Sequence, residues 1–109
     1  VFPAQLMRMF RANMTKPLSI GEVAERMGMS ESSLAHKCKA MLGISSARAF
    51  LKARLERAVT LLRTTSMLAK EIAPMVGFDD PYVFSRAFKR LYGVSPDHYR
   101  KQPSIVTSP

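Results

Sequence analysis

The chain has no tryptophan, one cysteine and two histidines among its 109 residues. The single thiol, Cys38, excludes an internal disulfide framework and fits a reducing cytosol. The two histidines, His36 and His98, form no cluster with zinc-ligand spacing, so neither a metal nor a cofactor is expected. No run approaches the roughly 18 apolar residues of a membrane span. The N-terminus also lacks a charged stretch followed by an apolar one, so no secretion signal is read there. These absences together predict a cytoplasmic protein without membrane attachment. β-branched alternation of the kind a strand needs is missing throughout. Acidic residues are scarce too, Lys and Arg outnumbering Asp and Glu by 17 to 8 for a formal charge of +9. A packed basic chain of this kind usually meets a polyanion. Because it begins with Val1, it is expected to be a fragment of a longer protein.

What is present reads as helix punctuated by five glycines, at Gly21, Gly28, Gly43, Gly77 and Gly93. A first helix is predicted over 3–12, with Leu6, Met9 and Phe10 at helical spacing. Ser19-Ile20-Gly21-Glu22 fits a capping box opening a short helix to Met27. Ser30 caps the next, which runs to Leu42 and stops at Gly43. A longer connector helix is predicted over 46–63, with Ala49, Phe50, Ala53, Leu55, Ala58, Leu61 and Leu62 broadly on one side. A short helix over 67–76 follows, in which Pro74 is expected to cause a kink or early break at a cost of about 3 kcal/mol. Asp79 or Asp80 then caps a helix that Pro81 begins and Gly93 ends, and Ser95-Pro96 caps a last turn. The fold class is therefore all-α, with about seven helices. Residues 1–45 are read as one helix-turn-helix lobe, 46–64 as the linker helix, 65–101 as a second lobe and 102–109 as a flexible tail.

An internal repeat carries the functional reading. Glu22, Ala24 and Gly28 match Glu71, Ala73 and Gly77 at an offset of 49, and beyond the turn the offset becomes 50. That second register pairs Leu34 with Phe84, Cys38 with Phe88, Lys39 with Lys89, Gly43 with Gly93 and Ser45 with Ser95. Each copy is a short helix with a small inward alanine, a glycine turn and a second helix with apolar residues at i, i+4, i+7. That is the sequence form of a helix-turn-helix.

Placing Leu34 at 0°, Cys38 falls at about 40° and Met41 at about 340°, an inward face. Ser32, His36 and Lys39 fall at about 160°, 200° and 140°, an outward polar face. The second copy turns Phe84, Phe88 and Leu91 inward and Tyr82, Arg86 and Lys89 outward. Arg86 can fork onto guanine O6 and N7 in a major groove, and His36, Ser32 and Ser33 can address bases or phosphates. Lys37, Lys39, Arg48, Lys89 and Arg90 are assigned to phosphates.

The run Gly77-Phe78-Asp79-Asp80-Pro81-Tyr82-Val83-Phe84-Ser85-Arg86-Ala87-Phe88-Lys89-Arg90, followed by Gly93-Val94-Ser95-Pro96 and Tyr99-Arg100, closely resembles the C-terminal DNA-binding domain of AraC/XylS regulators. The resemblance extends from the first helix to Arg100. It implies two helix-turn-helix lobes joined by the central helix, whose recognition helices enter successive major grooves of double-stranded DNA roughly 34 Å apart. By position it implies base reading by Ser32, Ala35 and His36 in the first lobe and by Pro81, Tyr82, Ser85 and Arg86 in the second, with Ser33 counted among the phosphate contacts. It further implies sequence-specific transcription regulation, an upstream effector-binding or dimerising domain, and RNA polymerase as a partner. His36 stands where the family often has Arg, and Cys38 where Phe is common.

His36 is accordingly read as a DNA contact rather than an ordinary solvated side chain. Cys38 is read as a packing residue rather than a redox sensor. Met27, Met41 and Met75 are read as filling small cores rather than forming an interface. Of the charges on the central helix, only Arg48 is assigned to DNA. An enzyme is not expected, since no nucleophile-base pair or paired carboxylates survive placement on helices. The rival reading is a protein-interaction module, which would bind DNA weakly and without sequence preference.

Overall fold

A computed structural model describes residues 1–102 and holds, among them, seven helices and no strand. The expectation of a flexible tail over 102–109 falls, apart from Gln102, outside the described residues. The helices are α1 (Phe2–Ala12), α2 (Ile20–Arg26), α3 (Glu31–Leu42), α4 (Ser46–Thr64), α5 (Ala69–Met75), α6 (Pro81–Tyr92) and α7 (Pro96–Lys101). The chain divides into two compact units, Val1–Arg54 and one beginning at Leu55, so α4 contributes to both.

Local chemistry sets each helix end. The Ser19 hydroxyl accepts the Glu22 N–H at 3.2 Å, and the Glu22 carboxylate accepts the Ser19 N–H at 2.9 Å, completing the capping box. That backbone bond, more than any other influence, holds the Glu22 carboxyl below its ordinary value. Ser30 caps α3 through the Ser33 N–H at 3.1 Å. Asp80, not Asp79, caps α6 through the Tyr82 N–H at 2.8 Å. Ser45 and Ser95 cap α4 and α7, each at 3.2 Å.

The two helix-turn-helix turns are built alike. The Met29 N–H donates to the Ala24 carbonyl at 3.0 Å and the Phe78 N–H to the Ala73 carbonyl at 2.9 Å. Gly28 and Gly77, at φ 72 and 86, adopt the left-handed conformation that closes each turn. The offset is still 49 at Met29 and Phe78, and it is 50 at the capping residues Ser30 and Asp80, which identifies Asp79 as the inserted residue.

In the first unit, α2 packs on α3, and the core holds Leu6, Phe10, Val23, Leu34, Cys38 and Phe50, with the Phe10 and Phe50 rings stacked at 4.3 Å. Cys38 is fully buried, and burial pushes its thiol up, as a packing residue requires. The second core is aromatic. Phe84 and Phe88 are fully buried, and Phe88 meets Phe84, Tyr92 and Tyr99 at 6.0, 4.6 and 5.5 Å.

Three sequence expectations about packing are corrected. Met41, Leu91 and Met75 are exposed, at 53%, 41% and 44%, rather than inward. The inward stripe continues instead at i+8. Leu42 packs against the first core, and Tyr92 joins the aromatic cluster, because helices inclined to one another follow the i, i+4, i+8 row rather than i+7. The seven apolar residues of α4 are all buried but do not form one stripe. At about 100° per residue, Ala49, Phe50 and Ala53 share one arc and serve the first core, whereas Leu55, Ala58, Leu61 and Leu62 occupy another. Finally, Pro74 lies inside α5 without shortening it, since α5 ends at the position where α2 ends in the other copy. Pro74 and Lys70 are both exposed, so the carbonyl that loses its bond lies on the side water can reach.

The N-terminus of α5 has half a capping box. The Glu71 carboxylate accepts the Leu68 N–H at 2.8 Å, but Leu68 stands where the other copy has Ser19 and has no hydroxyl to return the bond. Leu68 is also half exposed. Leu68→Ser is therefore expected to stabilise the second unit by about 1 kcal/mol, read as a rise in the urea midpoint followed by tyrosine fluorescence. A fall in the midpoint would mean that Leu68 packing outweighs the missing cap.

Tyr92 provides a second check. Burial, then the Glu56 and Tyr99 charges, push its phenol from 10.0 up to about 12, with Arg63 pulling the other way. A raised folded value means the native state holds the proton longer than the unfolded chain does. The contribution is thus complete below about pH 10 and lost as pH rises toward 12. The second unit is expected to lose stability over that range, and Tyr92→Phe to flatten the loss in an alkaline series of urea titrations.

Candidate nucleic-acid interface

Each unit buries one face of its second helix and leaves the opposite face in water. On α3, Leu34 and Cys38 are fully buried, while Ser32, Ala35, His36 and Lys39 are exposed. On α6, Phe84 and Phe88 are fully buried, while Pro81, Tyr82, Arg86, Lys89 and Arg90 are exposed and Ser85 is half-buried. The Ser30 and Asp80 caps fix where each helix begins, and hence where its first exposed side chains stand. Tyr82 is 75% exposed one residue inside α6.

Among the described residues, the Arg86, Lys89, Arg90, His36 and Lys39 side chains make no hydrogen bond or ion pair. Arg86 thus presents five donors in a planar fork with no partner among the described residues. Arg48 is exposed in the first turn of α4, where its backbone N–H meets the Ser45 cap. Two assigned residues sit differently. The Lys37 ammonium lies over the Phe2 ring at 5.5 Å, leaning toward α1 rather than standing on the outward face. Ser33 accepts a hydrogen bond from the Ser30 hydroxyl at 3.1 Å, which draws it into the cap.

Sequence reasoning assigned no role to a polar cluster in the second unit. Arg100 donates from Nε to the Leu62 carbonyl at 3.0 Å and from Nη2 to the Thr65 carbonyl at 3.2 Å, closing the C-terminal end of α4. Arg63, which is exposed, donates from Nη2 to the Tyr99 hydroxyl at 2.7 Å, with its guanidinium 5.1 Å from that ring. The Tyr99-Arg100 pair is the only sequence signal for this cluster. No group of three or more His, Cys, Asp or Glu able to hold a metal occurs among the described residues. No helix there is long and apolar enough to cross a membrane.

Two glycine-turned helix pairs, each with an exposed polar and basic second helix, define a helix-turn-helix DNA-binding domain. Residues 23–102 match the helix-turn-helix domain family, and the chain belongs to the AraC/XylS family of transcription regulators. The arabinose operon regulatory protein of Escherichia coli K12 is 40% identical over 81 residues, covering 74% of this chain and 28% of that protein. A solved AraC-type transcriptional regulator from Chromobacterium violaceum superposes at a TM-score of 0.85 with 29% identity, covering 92% of each chain. The DNA-binding domain of the transcription factor AdpA, solved with a target DNA, shares the fold at a TM-score of 0.82 and 24% identity, covering 89% of this chain and 87% of that one. The chain spans 40% or less of the length of the curated relatives it matches. It is a DNA-binding domain of transcription regulation and not an enzyme.

Proposed function

We propose that α3 and α6 are the two recognition helices and that they enter successive major grooves on one face of the duplex. Ser32, Ala35 and His36 read bases in one groove, and Pro81, Tyr82, Ser85 and Arg86 in the next. Ser33, Lys37, Lys39, Arg48, Lys89 and Arg90 hold the phosphates, Lys37 after leaving the Phe2 ring. Residues 1–45 and 65–101 act as the two lobes and 46–64 as their linker. The observation that carries the reading is the Arg86 fork, without a partner among the described residues, on the exposed face of a helix anchored by Phe84 and Phe88. His36 is shorter and can either donate or accept, so the first lobe reads its bases more permissively than the second. In the whole protein this domain works in the cytoplasm beside an effector-binding or dimerising domain, with RNA polymerase as its partner.

Footprinting on a selected duplex tests the arrangement. Two protected windows roughly 10 base pairs apart on one face are expected. Affinity should fall with salt at a log–log slope of about −4 to −5, from about −0.9 for each of the five assigned cations. A single window with a slope below half that value would contradict two-groove binding.

A further inference from the structure

The second unit contains a cavity of about 630 Å³ that DNA reading does not use, lined by Arg63, Thr65, Ser66, Tyr99, Arg100 and Gln102 over a Leu62 floor. Its chemistry is one-sided. Two arginines line it, and no aspartate or glutamate is among its lining residues. Arg63 spends one N–H on the Tyr99 hydroxyl, and Arg100 spends two on main-chain carbonyls, so most of their five donors each remain available. The Tyr99 oxygen accepts from Arg63, which leaves its own proton to donate. The Ser66 hydroxyl is exposed. A donor-rich cavity holding two like charges favours an anion.

Placement selects the kind of anion. Tyr99 packs at 5.5 Å on both Phe88 and Tyr92, on the buried side of α6, whereas Arg86 stands on the opposite face. If α6 lies in a groove, as proposed above, the cavity faces away from that DNA. Its rim residues Arg63, Thr65, Ser66 and Gln102 are all exposed, so the cavity cannot enclose the 70–90% of surface that a small ligand usually buries. It suits a segment laid across it.

We infer that this cavity docks an acidic segment of a protein partner while the domain is on DNA, with the Arg63 and Arg100 guanidiniums and the Tyr99 and Ser66 hydroxyls holding neighbouring carboxylates. The inference rests on the DNA-facing role of α6.

The test measures fluorescein-labelled hexaglutamate binding to the 109-residue chain by anisotropy, with and without a saturating selected duplex. Arg63→Gln removes a rim charge, and Ser66→Glu places a repelling carboxylate at the mouth without disturbing the Arg100 cap. Binding is expected to persist on the duplex-bound chain and to weaken at least about tenfold in each variant, with duplex affinity unchanged. Peptide displaced by the duplex, or bound equally by the variants, would reduce the effect to general attraction by a basic chain. A loss of duplex affinity in both variants would make these residues a phosphate contact instead, and competition by millimolar inorganic phosphate would make the cavity a free-anion site; each overturns the inference. Should the wild-type chain bind no duplex, the DNA-reading proposal fails, and the two variants still decide the cavity through their peptide binding in the absence of duplex.

Discussion

Phe88→Ala is expected to unfold the second unit at or near room temperature. Phe88 is fully buried and meets three other rings, at 6.0, 4.6 and 5.5 Å, so its loss empties the centre of the aromatic core rather than an edge. Removing such a side chain costs about 3–5 kcal/mol once the cavity is included. At roughly 0.05–0.15 kcal/mol per residue, a unit of this size holds only about 3–8 kcal/mol in total. The loss is therefore comparable with the whole. All three tyrosines, Tyr82, Tyr92 and Tyr99, lie in this unit and there is no tryptophan, so tyrosine fluorescence in a urea titration reports on it alone. A midpoint shift equivalent to less than about 1 kcal/mol would show that the cluster is not the centre of the unit.

Arg86→Ala should instead leave folding untouched and act on DNA. The side chain is exposed and makes no bond among the described residues, so removing it orphans none of their groups. A lost bidentate contact to guanine costs about 1–3 kcal/mol, on the order of 5- to 150-fold in affinity, and relaxes preference at the base it reads. Lys89→Ala should weaken every sequence alike and lower the salt slope by about one. Arg86→Lys separates the two effects, since it keeps the charge but cannot fork: binding should largely persist while discrimination falls. Titration of matched and mismatched duplexes at one salt concentration distinguishes all three.

The helix ends were the most legible part of the chain, because a cap is a local device written in two or three residues. Ser19, Ser30 and Ser95 act as their spacing implied, and the repeat locates both turns. Burial at helix edges was less legible. Met41 and Leu91 sit within about 20° of the inward axis on a wheel, but whether i+7 or i+8 is covered depends on how the partner helix is inclined. α4 misled for a related reason: one helix serves two cores, and its apolar residues read as a single broad side. The exposed faces of α3 and α6 followed directly from the periodicity of Leu34, Cys38, Phe84 and Phe88. The Arg63–Tyr99 and Arg100–Leu62 bonds were not legible, since they join residues 36 and 38 positions apart with no local pattern to announce them. Nor was the Lys37 contact with Phe2, which depends on how α1 packs.

Selection of bound duplexes from a random pool, run at one salt concentration with the wild-type chain and with Arg86→Ala, tests two-helix base reading most directly. If α3 and α6 each read a groove, the wild type recovers a two-part motif about one helical turn apart, and the variant loses preference in one part only. Recovery of no motif, with both proteins binding equally and in the same salt-dependent way, would mean that the exposed helices hold DNA without reading it.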